Sequence, residues 1–368
     1  MKNSLSPIRD CRRSDLPQVA DLFVDTFPFG WHSSVEALVA YFEDVYFGHP
    51  WGGEEFPSLV FEQNGVISGF VGVVPRRMNF NGESIRVCVP SALMVRQDDR
   101  GRRNPIVAIG LLRRMLDGGQ DLTLTDTAND LSRSLFVSCG ATVAYPYNYS
   151  WLRPLRPFCA GLEVGSRVLP QIVPKLVKPF ARLADVVNSA MPFNPFKVKE
   201  HANFLIEDMT PAMQLDAMAA LPNCSLMPSY DLSSLKWLMK MAQHSVTEGK
   251  LSRRIVRDAD GRFKGWFIYY QNRKSVGRVL QFVSTRQSTQ DVFDCLLYDA
   301  QAAGLAALWG RTDPLNPEFA NHNRSIFLSK PMVLVHSKRE EIIRTILAGQ
   351  MLFSGLEGES WMAVNAWS

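Results

Sequence analysis

The pattern of hydrophobic and polar positions predicts alternating helices and strands over the first 150 residues. Apolar residues at helical spacing predict amphipathic helices within 14–27 and 33–46. The spacing then changes to period two, which predicts three strands, at 59–62, 66–74 and 85–95. Asn64 and Gly65, between the first two strands, are typical of a hairpin turn. Because Pro90 cannot donate a ladder hydrogen bond, the third strand is expected to bend, bulge or lack a bond there.

A charged loop leads into the next predicted helix. The loop covers 96–103, and Asn104 and Pro105 suit the N-cap and the first position of a helix that extends to Leu116. The elements expected after it are a short strand at 122–125 and a helix at 129–139 that is closed by Gly140.

The order of elements repeats in the second half of the chain. The predicted strands are at 204–206, 254–256, 265–270, 277–283, 305–309 and 332–336. The predicted helices are at 211–220, 232–242 and 289–303, with part of 316–328. Since the order repeats although the residues differ, we predict two related domains, 1–152 and 200–368.

The segment that joins these domains, 153–199, has a different composition. It is rich in proline, and between Arg153 and Glu200 it holds eight Lys and Arg against three Asp and Glu. The net charge of the whole chain is +4, so the remainder is close to neutral. Residues 168–187 mix apolar and basic side chains, and their prolines argue against one continuous helix. Two interpretations stay open for 168–187: packing between the domains, or peripheral contact with an anionic membrane surface.

Composition and charge narrow the classes of protein. The 368 residues are 46% hydrophobic and 21% charged, as is ordinary for a soluble globular protein. No apolar run is long enough for a transmembrane helix, and the N-terminus lacks the apolar core of a secretory signal. The six cysteines are isolated and show no zinc-ligand spacing. We therefore expect a cytoplasmic protein without a metal site and without a nucleic-acid partner.

Two stretches resemble segments of a known family. The strand at 85–95 leads through Arg100-Gly101-Arg102-Arg103-Asn104-Pro105 into a helix. This arrangement resembles the Arg/Gln-x-x-Gly-x-Gly/Ala loop of the GNAT superfamily of acyl-CoA N-acyltransferases. Asn129, Leu135 and Gly140 match a second GNAT pattern, Asn-x-x-Ala-x-x-Leu-Tyr-x-x-x-Gly.

The resemblance implies an α/β (α+β) fold with two GNAT-like domains, each a mixed, mostly antiparallel sheet flanked by helices. It also implies acetyl-CoA or another acyl-CoA as co-substrate, with the pyrophosphate at a helix N-terminus and the thioester beside the amides of 92–94. The positions that the resemblance implies for coenzyme A are Leu93, Met94, Val95, Arg100, Gly101, Arg102, Arg103, Asn104, Asn129 and Phe136.

The sequence departs from the family pattern in two places. Arg103 and Pro105 stand where the family has small residues, so arginine side chains would replace part of the backbone cradle. Phe136 stands where many members have the tyrosine that protonates the departing thiolate. The other catalytic candidates are Tyr145, Tyr147, Asp126 and His322.

The expected function is transfer of an acetyl or other acyl group to an amine of a small molecule, sugar or amino acid. The first domain would bind acyl-CoA, and the second would be degenerate and shape the acceptor cleft or a homodimer. The segment Gly358-Glu359-Ser360-Trp361 resembles the ending of some bacterial tandem GNAT proteins. Two alternatives remain: an inactive GNAT-like binding or assembly module, and an aminoacyl-tRNA-dependent transferase of the related double fold.

Overall fold

The structure is a computed structural model. It describes residues 7–27, 34–52, 56–98, 101–165, 172–191, 194–198, 203–221, 224–245, 248–272, 276–315, 324–329 and 332–365. The strands are β1 (Ile8–Asp10), β2 (Leu59–Gln63), β3 (Val66–Phe80), β4 (Glu83–Val95), β5 (Leu122–Thr125), β6 (Thr142–Val143), β7 (Tyr149–Pro154), β8 (Phe204–Asp208), β9 (Leu226–Pro228), β10 (Lys250–Asp258), β11 (Phe263–Gln271), β12 (Val276–Ser284), β13 (Ala307–Arg311), β14 (Ile326–Ser329) and β15 (Leu334–His336). The helices are α1 (Leu16–Thr26), α2 (Val35–Tyr46), α3 (Pro105–Leu116), α4 (Asp130–Ser138), α5 (Pro157–Gly165), α6 (Ile172–Ala190), α7 (Pro211–Met218), α8 (Leu232–Gln243), α9 (Thr289–Ala302) and α10 (Glu340–Leu347).

The chain divides into two compact units, and each unit draws on both halves of the sequence. Unit 1 consists of Met1–Pro146, Cys224–His244 and Pro331–Ser368, and unit 2 of Tyr147–Asn223 and Ser245–Lys330. The predicted limits, 1–152, 153–199 and 200–368, divide the chain along its sequence and stay a prediction.

The sheets of the two units have the same strand order. In unit 1 the order is β1-β2-β3-β4-β5-β15-β6, with β9 added beside β3. In unit 2 it is β8-β10-β11-β12-β13-β7-β14. Each sheet has one parallel pair, β4 with β5 and β12 with β13, and its other pairs are antiparallel. The predicted fold class, two mixed and mostly antiparallel sheets flanked by helices, is confirmed.

The matching orders also show an exchange of strands. β7 belongs by sequence to the first half, but it lies between β13 and β14 of the second sheet. β15 belongs to the second half, and it lies in the equivalent place between β5 and β6. The chain segments on either side of each exchanged strand therefore end in different units.

Local sequence explains many element boundaries. Asn64 and Gly65 both have positive φ angles, 53° and 79°, which is the conformation that the two-residue hairpin turn requires. The Asn104 side chain accepts a hydrogen bond from the amide of Ile106 and caps α3. The buried faces of α3 in unit 1 and of α9 in unit 2 belong to the apolar cores of the two units.

The structure corrects several expectations. α6 continues through Pro179, although the prolines predicted an interrupted helix. An internal proline removes one hydrogen bond, and the remaining bonds and the packing of the helix outweigh that loss. Residues 316–323, most of the segment expected to be helical in part, lie outside the described residues, and its last residues belong to β14, which pairs with β7. Neither β9 nor α10 was predicted.

Candidate active site

The two parallel strands of the unit 1 sheet part at their carboxyl ends. β4 and β5 pair only at Val87 with Leu122 and at Cys88 with Thr123. β4 continues to Val95, beyond the last paired residue. A strand separation of this kind leaves backbone groups of β4 without a strand partner on that side. The separation is therefore a place where an extended ligand can hydrogen-bond to the sheet.

A bulge lies in β4 at this separation. Phe70 of β3 pairs with Met94 and Gly72 pairs with Ser91, so Ala92 and Leu93 together face a single β3 residue. Ala92 has a φ angle of +48°, in the left-handed region that residues with a Cβ atom rarely adopt. A bulge interrupts the ladder and re-aims the backbone. Because strain of this kind persists where the surrounding structure enforces it, and often at functional sites, the amides of the bulge are candidates for polarising a carbonyl.

The strain at Ala92 gives a first prediction. Glycine adopts the left-handed region without the Cβ penalty, so Ala92→Gly is expected to raise the free energy of unfolding by up to about 1 kcal/mol. Urea unfolding measures this directly. Ala92→Val is the matched contrast, since a β-branched residue is poorly tolerated at positive φ and is expected to destabilise the protein. A stabilising Ala92→Val would contradict the bulge geometry.

The loop before α3 uses several of its own amides. The amide of Asp98 donates to the carbonyl of Arg102 at 2.8 Å, and the amide of Gly101 donates to the carbonyl of Asp98 at 2.8 Å. The Asp98 carboxylate accepts from the amide of Arg102 at 2.8 Å and from its guanidinium. Since Pro105 has no amide proton, this loop offers an anion fewer backbone donors than a glycine-rich loop does. Arginine side chains are the remaining cationic groups here.

The structure places three of the predicted coenzyme A residues of this loop. Arg102 and Arg103 are exposed, and Arg103 donates to the carbonyl of Thr26 at 3.3 Å. Gly101 has a φ angle of +71°, which its lack of a Cβ atom permits. Arg100 lies outside the described residues.

A buried pair of carboxylates lies beyond the end of β5. Asp126 is 0% exposed and Glu359 is 3% exposed. The Asp126 carboxylate accepts from the amide of Glu359 at 2.8 Å and from the hydroxyl of Ser360 at 2.5 Å. One oxygen of Glu359 accepts from the hydroxyls of Thr125 and Thr127, both at 2.6 Å. The pair therefore joins the end of β5 to residues near the C-terminal end of the chain.

Burial and the charge of Asp126 raise the pKa of Glu359 to about 8. Both act in the same direction, because each disfavours a second negative charge in the apolar interior. The threonine hydrogen bonds oppose them only in part. A carboxylate with such a pKa exchanges its proton near neutral pH, which suits general acid–base work.

A pair of buried hydroxyls lies next to the bulge. The Tyr46 hydroxyl lies 3.1 Å from that of Ser91, the residue before Ala92. Burial, with a smaller effect from the Glu359 charge, raises the pKa of Tyr46 above its usual value, although the Ser91 hydrogen bond opposes this. Tyr46 is therefore protonated at neutral pH and holds its proton more tightly than an ordinary tyrosine, so its hydroxyl is suited to donating a hydrogen bond.

The segment that carries Glu359 is anchored by aromatic packing. Trp361 is 0% exposed, and its ring nitrogen donates to the carbonyl of Gly358 at 2.7 Å. Its ring lies 5.3 Å from that of Trp237 and 5.4 Å from the Arg76 guanidinium. Tyr230 donates a hydrogen bond to Glu357. These contacts hold the backbone on both sides of Glu359 in place.

The remaining predicted residues are distributed as follows. Met94 and Val95 are buried in β4, and Leu93 is half-buried. Asn129 caps α4 by accepting from the amide of Ser132 at 2.9 Å, and Phe136 is buried in the core with no polar group to donate. Tyr145 is 66% exposed, Tyr147 is buried in unit 2, and His322 lies outside the described residues.

The sequence interpretation missed three residues of the candidate site. Glu359, Tyr46 and Ser91 were not among the candidates, whereas Asp126 was. The ending Gly358-Glu359-Ser360-Trp361 was the available signal for Glu359. Tyr46 lies in the apolar pattern of α2 and gives no local signal of its own.

Unit 2 repeats the strand arrangement without the glycine-containing loop. β12 pairs in parallel with β13 and has its own irregularity opposite Ile268 and Tyr269. Arg286–Ser288 forms a 3₁₀ turn before α9, and Ser288 makes no side-chain capping bond. The expected degeneracy of the second predicted domain, 200–368, stays a prediction.

Comparison with solved structures places the fold in context. A protein from Enterococcus faecalis, described as a probable N-acyltransferase, aligns with a TM-score of 0.57 at 11% identity, over 90% of this chain and 72% of that one. A GCN5-related N-acetyltransferase from Anabaena variabilis gives 0.55 at 12%, over 90% and 73%. Saccharomyces cerevisiae N-myristoyltransferase with bound myristoyl-CoA gives 0.53 at 13%, over 91% and 80%. The chain therefore has the fold of the GNAT N-acyltransferases.

Sequence comparisons add nothing to this fold assignment. No protein-family model matches the chain, and no curated protein matches it either. Within the described ranges, no helix is long and apolar enough to cross a membrane. The same residues contain no group of three His, Cys, Asp or Glu side chains that is placed to hold a metal ion.

Proposed function

We propose that unit 1 transfers an acyl group from an acyl-CoA to an amine. The observation that carries this proposal is the strained bulge at Ala92 and Leu93, next to the separation of β4 from β5. In this proposal the pantetheine arm occupies the separation and hydrogen-bonds to β4. The bulge amides face the thioester carbonyl and stabilise the negative charge that develops on its oxygen.

The diphosphate of coenzyme A is proposed to lie at the start of α3. Since the loop amides are partly engaged by Asp98, the binding energy there is proposed to come mainly from Arg100, Arg102 and Arg103. The helix dipole of α3 contributes in the same direction. This assignment keeps the predicted positions but exchanges backbone donors for side-chain donors.

The reaction needs a base for the amine and an acid for the thiolate. Glu359, in the ionised form that predominates above pH 8, is proposed to take the proton that leaves the attacking nitrogen as the N–C bond forms. Tyr46 is proposed to donate a hydrogen bond to the sulfur as the C–S bond breaks, a role that Phe136 cannot fill, and the released thiolate takes its proton from water. The acyl donor supplies the activated carbonyl, and the chain supplies position and charge stabilisation.

The acceptor is proposed to be a primary amine of a small molecule, a sugar or an amino acid. The yeast enzyme in the comparison carries bound myristoyl-CoA, so acyl chains of different length are to be tested. A protein that binds coenzyme A and transfers no acyl group to any amine would be the inactive binding module. A protein stabilised by aminoacyl-tRNA alone would be the transferase of the related double fold.

Thermal unfolding with and without acyl-CoA tests the proposal. Ligand at about 100 times its dissociation constant is expected to stabilise the wild type by roughly 2.7 kcal/mol. Arg100→Ala combined with Arg103→Ala is expected to weaken binding at least about tenfold, because charge-assisted hydrogen bonds are lost. Acetyl-CoA and myristoyl-CoA are the two probes.

A matched arginine variant serves as the control. The Arg262 side chain is 74% exposed and pairs with Asp260 in a hairpin of unit 2. Arg262→Ala is therefore expected to leave the stabilisation by acyl-CoA unchanged. Equal losses in the control and the double variant would show that the effect is not local to the loop. Absence of stabilisation by either probe would overturn the acyl-CoA proposal.

A further inference from the structure

Helix α6 of unit 2 presents apolar side chains to solvent. Phe180 is 72% exposed, Leu183 is 64%, and Val187 and Met191 are each 52%. Phe180, Leu183 and Val187, spaced by three and four residues, lie on one face of α6, and Met191 directly follows its last residue, Ala190. A helix on the surface of a water-soluble domain normally turns such a face inward. The outward stripe therefore indicates a binding partner that is apolar.

The opposite face of α6 is held in place by polar contacts with α5. The Asp185 carboxylate accepts from the amides of Phe158 and Cys159 at 3.0 and 2.9 Å, at the start of α5. The Lys178 ammonium lies 2.9 Å from the carboxylate of Glu163. Ala181, which lies between Lys178 and Asp185 in the sequence, is also buried. These contacts fix the rotation of α6 about its own axis, so the apolar stripe faces solvent.

A basic cavity lies beside the stripe. It has a volume of about 580 Å³, and its lining includes Arg156, Arg182, Lys197, Asn188 and Val186. No carboxylate among the described residues lies within 4.0 Å of the cationic nitrogens of Arg182 or Lys197. The acid in the lining, Asp185, is already engaged by the α5 amides. The cavity therefore favours an anionic group.

We propose that α6 binds the surface of a bilayer that contains anionic phospholipid. The apolar stripe enters the boundary between headgroups and acyl chains, and the basic cavity receives a lipid phosphate. The stripe lies on α6, and α6 also supplies Arg182 to the cavity, an arrangement of apolar and basic groups that suits a helix in the plane of a membrane interface. The segment between 153 and 200 holds eight basic and three acidic residues, and this net positive charge also favours binding to an anionic membrane. This proposal is independent of the acyl-transfer proposal, because it involves unit 2 alone.

Vesicle flotation of the full chain tests the proposal. The probes are vesicles of phosphatidylcholine alone and of phosphatidylcholine mixed with phosphatidylglycerol. Preferential binding to the mixed vesicles is expected. Phe180→Ser with Leu183→Ser is expected to weaken that binding at least about tenfold, since two exposed apolar side chains no longer enter the membrane. Arg182→Gln with Lys197→Gln is expected to weaken it about fivefold for each charge removed.

The matched control carries one apolar and one basic change elsewhere in unit 2. Leu205 on β8 is 52% exposed and Lys250 on β10 is exposed, so Leu205→Ser with Lys250→Gln is expected to bind as the wild type does. Circular dichroism confirms that each variant is folded. Failure to float with mixed vesicles, or equal binding to both kinds, would overturn the proposal. Self-association in the absence of lipid that Phe180→Ser abolishes would assign the stripe to a second copy and also overturn it.

Discussion

Glu359→Gln is expected to lower kcat by about 100- to 1,000-fold, because the variant retains the shape of the side chain and loses the proton acceptor. The threonine hydroxyls that donate to Glu359 can donate equally to the amide oxygen of glutamine. The fold is therefore expected to survive the change. Steady-state kinetics, with an amine acceptor identified by screening, measure the effect, and binding of acetyl-CoA should be nearly unchanged.

Glu357→Gln is the matched control for this prediction. Glu357 lies two residues away in the same segment and is 4% exposed, almost as deeply buried as Glu359. It accepts hydrogen bonds from Tyr230 and Ser354, whereas Glu359 accepts from Thr125 and Thr127 at the end of β5. Its kcat is expected to stay within a few-fold of the wild type. Equal losses in the two variants would indicate a structural role for the segment and would contradict a base at Glu359.

The pH dependence of stability gives a second readout for the same substitution. The pKa of Glu359 is raised to about 8 in the folded state, so the folded protein binds more protons than the unfolded chain between the usual glutamate pKa and pH 8. The free energy of unfolding should therefore fall as pH rises through this window, by at most about 1.4 kcal/mol per pH unit. Glu359→Gln should remove this part of the slope. A larger slope in the variant would contradict the buried, protonated carboxyl group.

Gly358→Ala is expected to lower the free energy of unfolding by about 3 kcal/mol. A Cβ atom at this position would overlap the carboxylate carbon and both carboxylate oxygens of Asp126. Asp126 cannot move aside easily, because it is fully buried and its oxygens accept from Glu359 and Ser360. Insertion of a methyl group into such a site costs 1–3 kcal/mol or more, as a rule, and disturbing the carboxylate adds to that cost. Urea denaturation measures the change.

The control for Gly358→Ala is another Gly-to-Ala change. Gly161 lies within α5, and a Cβ atom there would meet no atom within 4 Å. Gly161→Ala is therefore expected to stabilise the protein by roughly 0.5–1 kcal/mol, because alanine favours the helix. An unchanged stability in Gly358→Ala would mean that the chain does not approach Asp126 as closely as described.

The sequence predicts those parts of the fold that depend on neighbouring residues. The Asn64–Gly65 turn, the cap at Asn104 and the C-terminal Gly140 all follow from backbone preferences that act within a few residues. The exchange of β7 and β15 does not follow from the sequence. β15 is three residues long, and its place between β5 and β6 depends on partners that are distant in the chain.

The candidate site likewise has parts that depend on neighbouring residues and parts that depend on residues distant in the chain. The resemblance pointed to the amides of 92–94, and Pro90 indicated an irregular strand. The sequence therefore predicts an irregularity in this part of β4. The hydrogen bonds that Asp98 accepts from the amides of Gly101 and Arg102 were not predicted, although aspartate is common in turns. The pairing of Asp126 with Glu359 joins residues more than 230 positions apart, and no spacing rule connects them.

Hydrogen–deuterium exchange with acyl-CoA tests most directly the central claim that unit 1 binds the acyl donor where β4 leaves β5. The experiment compares the full chain with and without saturating acetyl-CoA, and again with myristoyl-CoA. The account predicts slower exchange in peptides that cover 89–95 and 101–108, with little change in 276–289 of unit 2. Protection confined to 276–289, or no protection with either acyl-CoA, would contradict it.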